Sequence, residues 1–233
     1  MNEFVIYPGF LGKPADFITL SHSLGNTETI DSLTVYNSES KHPISQITSE
    51  LLPKNPKIGK RIGIGYSMGG RLLLQLAQKF PGAFDALVFI STNPGLKSET
   101  EKSARAEMDL EWSKKLLELP WRAFLQAWNQ QMVFQGTSSE LDRAEKDYDK
   151  QGLAQQITNW SLAQQHDFRF YLRAMNTPFL WIVGERDQKF VKIAEEVFGM
   201  DFFPMNGAGH RVHLDQPQEL ARIILNFAGK GRP

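Results

Sequence analysis

The sequence Gly65-Tyr66-Ser67-Met68-Gly69 decides the fold, because it lies between an apolar run at 61–64 and a helical run at 71–77. A Gly-x-Ser-x-Gly pentapeptide at a strand-to-helix junction forms a nucleophile elbow, in which small flanking residues permit a strained turn that exposes the Ser hydroxyl. The pentapeptide alone also occurs in ordinary glycine-rich turns, so the interpretation depends on the flanking elements. With a strand before it and a helix after it, Ser67 is the candidate nucleophile or base.

The composition limits the kinds of partner that this chain of 233 residues can have. Lys and Arg together number 26, as do Asp and Glu, so the net charge is zero and no face for nucleic acid is predicted. A small neutral or anionic metabolite is favoured instead. The absence of cysteine excludes disulfides and thiolate catalysis and is typical of a reducing cytoplasm. Without an export signal or an apolar run near the roughly 20 residues of a membrane span, a cytoplasmic protein without membrane insertion is expected.

Strand and helix patterns alternate along most of the chain. Short, mainly apolar runs predict strands at 4–7, 61–64, 86–90, 179–183 and 201–204. The run at 86–90 is apolar on both faces, which indicates a buried strand of a parallel sheet. Apolar residues at helical spacing predict helices at 16–24, 44–52, 191–198 and 220–227. Thr34-Val35-Tyr36 is a further candidate strand. This alternation predicts an α/β fold with a mostly parallel sheet flanked by helices.

Only helices are predicted between about residues 93 and 176, where four of the five Trp also lie. Trp121, Phe124 and Trp128 repeat at helical spacing after Pro120, which gives one helix an apolar face. We interpret 93–176 as a helical cap inserted into a single α/β core that 1–92 and 177–233 form together. Most cap aromatics are expected to pack the cap against itself, and the alternative is that they line a binding site.

The search for catalytic partners of Ser67 leads to an acid and a histidine downstream. A serine hydroxyl needs a histidine to take its proton, and that histidine needs a carboxylate to fix its tautomer and orientation. Asp187 follows the strand at 179–183, at the sheet edge where α/β sites form, and is favoured over Glu185. His210 follows the last predicted strand on a loop of small residues. The order Ser, Asp, His is that of the α/β-hydrolases.

Groups beside the elbow complete the predicted site. The backbone N–H groups of Met68, after the nucleophile, and of Phe10, after the first strand, are expected to form an oxyanion hole. Arg71 lies one helical turn after Ser67. Its guanidinium either binds a substrate carboxylate through two hydrogen bonds or forms a surface salt bridge.

Neither a metal nor an organic cofactor is predicted. A metal site formed by His210, His213 and Asp215 is the weaker interpretation, because a triad loop and a helix start already account for these residues. The dinucleotide pattern Gly-x-Gly-x-x-Gly and the phosphate-binding pattern Gly-x-x-x-x-Gly-Lys-Ser/Thr are both absent from the sequence.

Several motifs occur together in this chain. They are Gly-Tyr-Ser-Met-Gly-Gly-Arg at 65–71, Asn-Pro-Gly-Leu at 93–96, Gly-Glu-Arg-Asp-Gln-Lys-Phe at 184–190, Ala-Gly-His-Arg-Val-His at 208–213, and Arg105 with Asp109 and Trp112. Over roughly residues 60–228 the chain resembles the SHCHC (2-succinyl-6-hydroxy-2,4-cyclohexadiene-1-carboxylate) synthases of menaquinone biosynthesis. These are lyases of the α/β-hydrolase fold that eliminate pyruvate from an enolpyruvyl cyclohexene dicarboxylate.

The resemblance implies a carbon-oxygen lyase in which Ser67, Asp187 and His210 form a triad. Ser67 would pass a proton from the carbon beside the succinyl carbonyl to His210. The enolate would lie in the oxyanion hole of Phe10 and Met68, and its collapse would expel pyruvate. The implied partner is therefore a small dicarboxylate. Family positions that line the pocket and hold carboxylates fall on Tyr66, Arg71, Arg105 and Trp128.

The chain departs from the family pattern in places. Pro8-Gly9-Phe10 stands where the family usually has His-Gly-Phe, and Asn129 stands where an aromatic residue follows the cap Trp. A second cap arginine of the family has no clean match in this chain, because Arg143 and Lys146 are both nearby and neither aligns without a gap. The alternative function is a carboxylesterase or a carbon-carbon bond hydrolase, because the same triad supports acyl transfer. Cations that face the triad favour the lyase, whereas an apolar pocket favours the esterase.

Overall fold

The described residues form a six-stranded sheet in which every neighbouring pair of strands is parallel. The computed structural model of the chain describes residues 2–31, 36–57, 59–137 and 143–230. The strands are β1 (Asn2–Tyr7), β2 (Thr27–Thr29), β3 (Lys60–Tyr66), β4 (Ala86–Ile90), β5 (Phe179–Gly184) and β6 (Phe203–Met205). They lie in the order β2-β1-β3-β4-β5-β6.

Helices lie before, between and after these strands. Those outside the β4–β5 connection are α1 (Ile18–Leu24), α2 (Asn37–Glu39), α3 (Met68–Lys79), α8 (Gln188–Phe198), α9 (Val212–Asp215) and α10 (Pro217–Lys230). Those within it are α4 (Glu99–Glu118), α5 (Trp121–Asn129), α6 (Lys150–Asn159) and α7 (Arg169–Ala174). Short 3-10 turns occupy Pro14–Phe17, Ile44–Gln46, Ser49–Leu51, Met132–Phe134, Glu145–Asp147 and Leu162–Gln164.

The core has two apolar layers, one on each face of the sheet. Phe89 and Trp181 lie in the layer that also contains the leucines of α3, and α8 packs against β5 on this side. Val88 and Ile182 lie in the other layer, together with apolar residues of α1 and α10. All positions of β4 and β5 are buried, which explains why their sequences are apolar throughout instead of alternating.

The predicted fold class is confirmed, because helices flank a parallel sheet on both faces. Most predicted elements agree with the structure within a few residues, and β4 has the predicted bounds. Between β4 and β5 the described residues form helices and turns without a strand.

The predicted helix at 44–52 is wrong. Two separate 3-10 turns occupy this segment, and Ile47 between them has an extended backbone with ψ 146°. The Thr48 N–H donates to the Glu39 carboxylate at 2.8 Å, so a side chain takes the place of a helical acceptor. Ile44, Ile47 and Leu51 are still fully buried. Their spacing of three and four residues therefore reflects burial and not a continuous helix.

The edge of the sheet near β2 was the least predictable region. Strand β2 has the sequence Thr-Glu-Thr and carries no apolar signal. Of the candidate strand at 34–36, Thr34 and Val35 lie outside the described residues, and Tyr36 has helical backbone angles (φ −66°, ψ −40°). In the part of the chain that the structure describes, no helix combines the length and the hydropathy needed to cross a bilayer.

Candidate active site

The elbow places Ser67 in a left-handed conformation between β3 and α3. Its φ is 51°, and its N–H donates to the Ile90 carbonyl at 2.9 Å, which ties the turn to the neighbouring strand. A Cβ at Gly69 would lie only 2.0 Å from the Tyr7 carbonyl oxygen, so only glycine permits α3 to begin this close to β1. The predicted elbow therefore has a specific packing cause.

Asp187 and His210 reach Ser67 from the ends of β5 and β6. A Cβ at Gly184 would lie 2.0 Å from the Gly209 carbonyl oxygen, so the two loops that carry the acid and the histidine touch. Asp187 caps α8 and accepts a hydrogen bond from the Phe190 N–H. One carboxylate oxygen is thus held by a helix N-terminus while the other points to His210.

The structure brings the three predicted triad side chains into one hydrogen-bonded chain. The Asp187 Oδ2 lies 2.6 Å from the His210 Nδ1, and the His210 Nε2 lies 3.1 Å from the Ser67 Oγ. Asp187 and His210 are each 3% exposed. Glu185, the rival acid, is exposed and accepts from the Gly207 N–H instead. The arrangement permits proton transfer between Ser67 and His210, with Asp187 orienting the imidazole.

Aromatic rings surround His210 and limit its contact with water. The ring centroid of Phe190 lies 4.7 Å from that of the imidazole, and those of Tyr66 and Phe134 lie 5.5 and 5.7 Å away. Burial raises the pKa of the Tyr66 hydroxyl well above its usual value, against the opposing charge of Arg211. Tyr66 therefore stays protonated and is a hydrogen-bond donor at neutral pH.

Ser67 lines two cavities, which we name after one buried arginine in each. The Arg71 cavity has a volume of about 650 Å³, and the residues used below that line it are Phe10, Ser67, Met68, Arg71, Ser91, Arg105, Asp109, Trp128 and Lys189. The Arg143 cavity has a volume of about 600 Å³, and the corresponding residues are Phe10, Asp16, Phe17, Tyr66, Ser67, Trp128, Asn129, Phe134, Arg143, Arg211 and His213.

Arg71 is buried, so the alternative of a surface salt bridge is wrong. Its Nη1 donates to the Trp160 carbonyl at 2.8 Å, and no carboxylate of the described residues forms an ion pair with it. Burial and, to a smaller extent, the charge of Arg105 lower the pKa of Arg71 to about 9, and Asp109 opposes the shift. The Arg71 cavity thus contains a guanidinium whose charge no described carboxylate neutralises directly.

Two further cations line the Arg71 cavity. The Arg105 Nε donates to the Asp109 carboxylate at 2.8 Å, one helical turn away on α4, so this pair is neutral as a unit. Lys189 is exposed at the rim of the cavity. Together with Arg71, Lys189 gives this cavity an excess of positive charge, which suits an anionic ligand.

Arg143 and Lys146, the two residues near the position of a further cap cation, differ in burial and in their position relative to the cavities. Arg143 is 7% exposed and donates to both carboxylate oxygens of Asp16, at 2.8 and 2.6 Å. Lys146 is exposed and does not line either cavity. Of the two, only Arg143 lines a cavity together with Ser67. Its guanidinium is already paired with the Asp16 carboxylate.

The predicted oxyanion-hole residues both lie beside Ser67. Met68 is the first residue of α3, so its N–H has no acceptor within the helix. Phe10 lines both cavities, and its ring packs 4.8 Å from that of Trp128. The Trp128 side chain also lines both cavities, whereas Trp121 is buried and lines neither, so the cap aromatics divide between lining and packing.

Among the described residues no group of three or more His, Asp or Glu side chains is arranged to hold a metal ion. His213 is instead stacked on Phe17, with ring centroids 4.3 Å apart and an interplanar angle of 11°. Its burial, together with the charge of Arg211, lowers its pKa to about 3. His213 is therefore neutral at physiological pH.

Comparison with known proteins gives the same fold and a family. The family model described as the alpha/beta hydrolase fold matches residues 57–217. The structure of MenH from S. aureus superposes with a TM-score of 0.81 and 22% identity, over 100% of this chain and 95% of that one.

Two relatives carry the name 2-succinyl-6-hydroxy-2,4-cyclohexadiene-1-carboxylate synthase. The one from Enterobacter sp. (strain 638) is 36% identical over 172 residues, which cover 70% of this chain and 65% of the relative. The one from Haemophilus influenzae, named as putative, is 32% identical over 177 residues, which cover 73% of this chain and 71% of the relative. The chain belongs to the SHCHC synthase family of the α/β-hydrolase superfamily. This membership identifies it as an enzyme.

Two cavity residues of this SHCHC synthase family member were not assigned a role from its sequence. Lys189 and Arg211 lie inside motifs that were used only for their neighbours Asp187 and His210. The Arg211 guanidinium lies 4.4 Å over the Phe134 ring and donates to the Asn129 side chain, so the family departure at 129 contributes an acceptor to the Arg143 cavity. Their position within a few residues of the ends of β5 and β6 was the available signal.

Proposed function

We propose that the chain is a lyase that eliminates pyruvate from 2-succinyl-5-enolpyruvyl-6-hydroxy-3-cyclohexene-1-carboxylate to give SHCHC in menaquinone biosynthesis. The observation that carries this proposal is the buried Arg71 beside Ser67, with no carboxylate of the described residues paired to it. An apolar ester leaves such a charge uncompensated, whereas a substrate carboxylate binds it bidentately. The names of the relatives support the same product.

The proposed mechanism begins with a proton transfer. Ser67, with His210 accepting its proton, removes the proton from the ring carbon beside the succinyl carbonyl, and Asp187 stabilises the resulting imidazolium. The backbone N–H groups of Phe10 and Met68 stabilise the negative charge that develops on the succinyl oxygen. The enolate then re-forms its carbonyl, the ring double bond shifts, and the carbon-oxygen bond to the enolpyruvyl group breaks. The proton on His210 returns to the departing pyruvate, so no water is consumed.

Substrate carboxylates are held by the cations that line the two cavities. Arg71 and Arg105 bind one of them on one side of Ser67, and Tyr66 contacts the substrate on the other side. The ring of Trp128 borders both cavities and packs against the cyclohexene. Residues 93–176, which carry Arg105 and Trp128, serve in this proposal as a cap over the core formed by 1–92 and 177–233.

The proposal is tested by pyruvate release from the enolpyruvyl substrate, measured with a coupled lactate dehydrogenase. Wild type is expected to release pyruvate, and Ser67→Ala to lose at least about 100-fold in kcat, because a positioned general base contributes on that order or more. Ser113→Ala is the matched control, since the Ser113 hydroxyl is buried and donates to the Ala154 carbonyl outside both cavities. Ser67→Ala activity within tenfold of wild type removes Ser67 from the mechanism.

The second candidate function is a carboxylesterase or carbon-carbon bond hydrolase, which the hydrogen-bonded Ser67, His210 and Asp187 favour on their own. A short nitrophenyl ester, assayed beside the enolpyruvyl substrate, separates the two. Rapid ester hydrolysis without pyruvate above the uncatalysed rate assigns the chain to this second class.

A further inference from the structure

Ser91 follows β4 and lies beside the elbow. The Ser67 N–H donates to the carbonyl of Ile90, the residue just before it, and the Ser91 N–H donates to the Ile182 carbonyl at 2.8 Å. The backbone of Ser91 is therefore fixed by the sheet on both sides. Ser91 is among the residues that line the Arg71 cavity.

Two features of Ser91 destabilise the unliganded chain. Its φ is 46°, a conformation that favours glycine, and its side chain is 0% exposed. The Oγ finds no hydrogen-bond partner among the described residues. A glycine at this position would remove both the backbone strain and the unpaired hydroxyl. Nothing in the described fold therefore explains the serine, and the remaining place for its hydroxyl to act is the cavity that it lines.

The charged residues that line the same cavity as Ser91 indicate what its hydroxyl binds. The Arg71 cavity has an excess of positive charge from Arg71 and Lys189, so its ligand is an anion with several acceptor oxygens. A hydroxyl can donate one hydrogen bond, and a bond to a charged acceptor is stronger than one to a neutral acceptor. A carboxylate has the lone pairs to accept from a guanidinium and a hydroxyl together.

We propose that the Ser91 hydroxyl donates a hydrogen bond to the substrate carboxylate that lies against Arg71. Ser91 is then a substrate-binding residue, and its unpaired hydroxyl becomes paired only when the cavity is occupied. This inference rests on the proposed function, since it needs a carboxylate substrate. It adds a neutral donor to the cations as a determinant of carboxylate binding.

The two effects of the hydroxyl have opposite signs, and this makes the inference testable with Ser91→Ala. Removing a buried unpaired hydroxyl is expected to raise the unliganded Tm, by about 2–4 °C for a chain of this size. The same change is expected to raise KM for pyruvate release about tenfold and to leave kcat within threefold, because the hydrogen bond to a charged group is lost in binding. A merely structural serine does not give this pair of results.

Ser113→Ala is again the matched control. The Ser113 hydroxyl is buried but paired, so its loss is expected to lower the Tm and leave KM unchanged. A fall of the Tm in Ser91→Ala, or an unchanged KM, overturns the inference.

The role of Ser91 can also be tested if the proposed function is wrong. If wild type releases no pyruvate, succinate is titrated in a thermal-unfolding assay. A Tm increase with succinate in wild type and in Ser113→Ala that is lost in Ser91→Ala supports carboxylate binding by Ser91. An equal increase in all three proteins, or no increase in wild type, overturns it.

Discussion

Arg71 and Arg143 are buried arginines that line different cavities beside Ser67, and their charges are compensated in opposite ways. Arg143 donates to both oxygens of the buried Asp16, so its positive charge is neutralised within the fold. Arg71 donates to the backbone carbonyl of Trp160, and no described carboxylate pairs with it. Burial alone does not identify a ligand-binding arginine. The partner of the guanidinium separates an arginine that stabilises the fold from one that is available to a ligand.

The comparison predicts that Arg143→Met chiefly destabilises the fold. The substitution leaves the Asp16 carboxylate buried without its cation, and breaking a buried pair in this way costs about 3–5 kcal/mol in the free energy of unfolding. Urea denaturation at pH 7 measures the loss. The added Asp16→Asn substitution is expected to recover most of it, because the buried charge is then gone.

Lys146→Ala is the control for this prediction. Lys146 is exposed and borders neither cavity, so its replacement is expected to change the free energy of unfolding by less than about 0.5 kcal/mol. If Arg143→Met is as stable as Lys146→Ala, the pair of Arg143 and Asp16 does not stabilise the fold, and the role given to Arg143 is wrong.

Arg71→Met is expected to act on substrate and not chiefly on the fold. We predict a loss in kcat/KM for the enolpyruvyl substrate worth about 2–5 kcal/mol, the range for truncation of one partner of a buried charge pair. Hydrolysis of a neutral nitrophenyl ester is expected to change less than threefold, because that substrate has no carboxylate. Steady-state kinetics on both substrates measure the difference.

Arg222→Met is the matched control, since Arg222 is exposed on α10 and pairs with Glu219 at the surface. It is expected to leave both activities unchanged. Equal losses of Arg71→Met on the two substrates assign Arg71 to structure, and the difference between the two cavities then disappears.

The third prediction concerns the stability of the fold in acid, and it involves His213, which lines the Arg143 cavity. The pKa of His213 in the fold is lowered to about 3, from an ordinary value of 6.5. Between these values the unfolded chain binds a proton that the folded chain does not. The free energy of unfolding is therefore fully retained above pH 6.5 and falls by up to about 1.4 kcal/mol per pH unit as the pH drops through this window.

His213→Phe is expected to remove this contribution, so its stability curve from pH 7 to pH 4 is flatter than that of wild type. Urea denaturation at intervals of half a pH unit measures both slopes. His22→Asn, at an exposed position on α1, controls for the loss of a histidine. Parallel curves for wild type and His213→Phe contradict the prediction.

The parts of the site that sequence predicts well are carried by short segments at strand ends. The elbow at 65–69, Asp187 after β5 and His210 after β6 each have a local signal, and parallel topology brings the ends of these strands to one edge. These local signals and the parallel topology were enough to predict that Asp187, His210 and Ser67 lie together. Their catalytic role stays a prediction until the serine variant is assayed.

The parts that sequence did not predict depend on contacts between distant segments. The pair of Arg143 and Asp16 joins residues 127 apart in sequence, and no local pattern indicates which carboxylate meets that arginine. The unpaired hydroxyl of Ser91 is a property of its surroundings and has no pattern of its own. The helix predicted at 44–52 failed for a related reason. Its apolar spacing records burial against α3 and the sheet, which two 3-10 turns satisfy equally well.

The hydrogen bond from Arg71 to the Trp160 carbonyl joins a helix of the sheet domain to the segment between β4 and β5. One guanidinium thus faces the cavity and also holds the backbone of that segment. Any anion that alters this bond alters how firmly the segment is held, and thermodynamic linkage requires the reverse as well. Anion affinity and the stability of the segment around Trp160 are therefore coupled. A substitution that weakens the packing of this segment changes substrate affinity although the substituted residue does not contact the substrate.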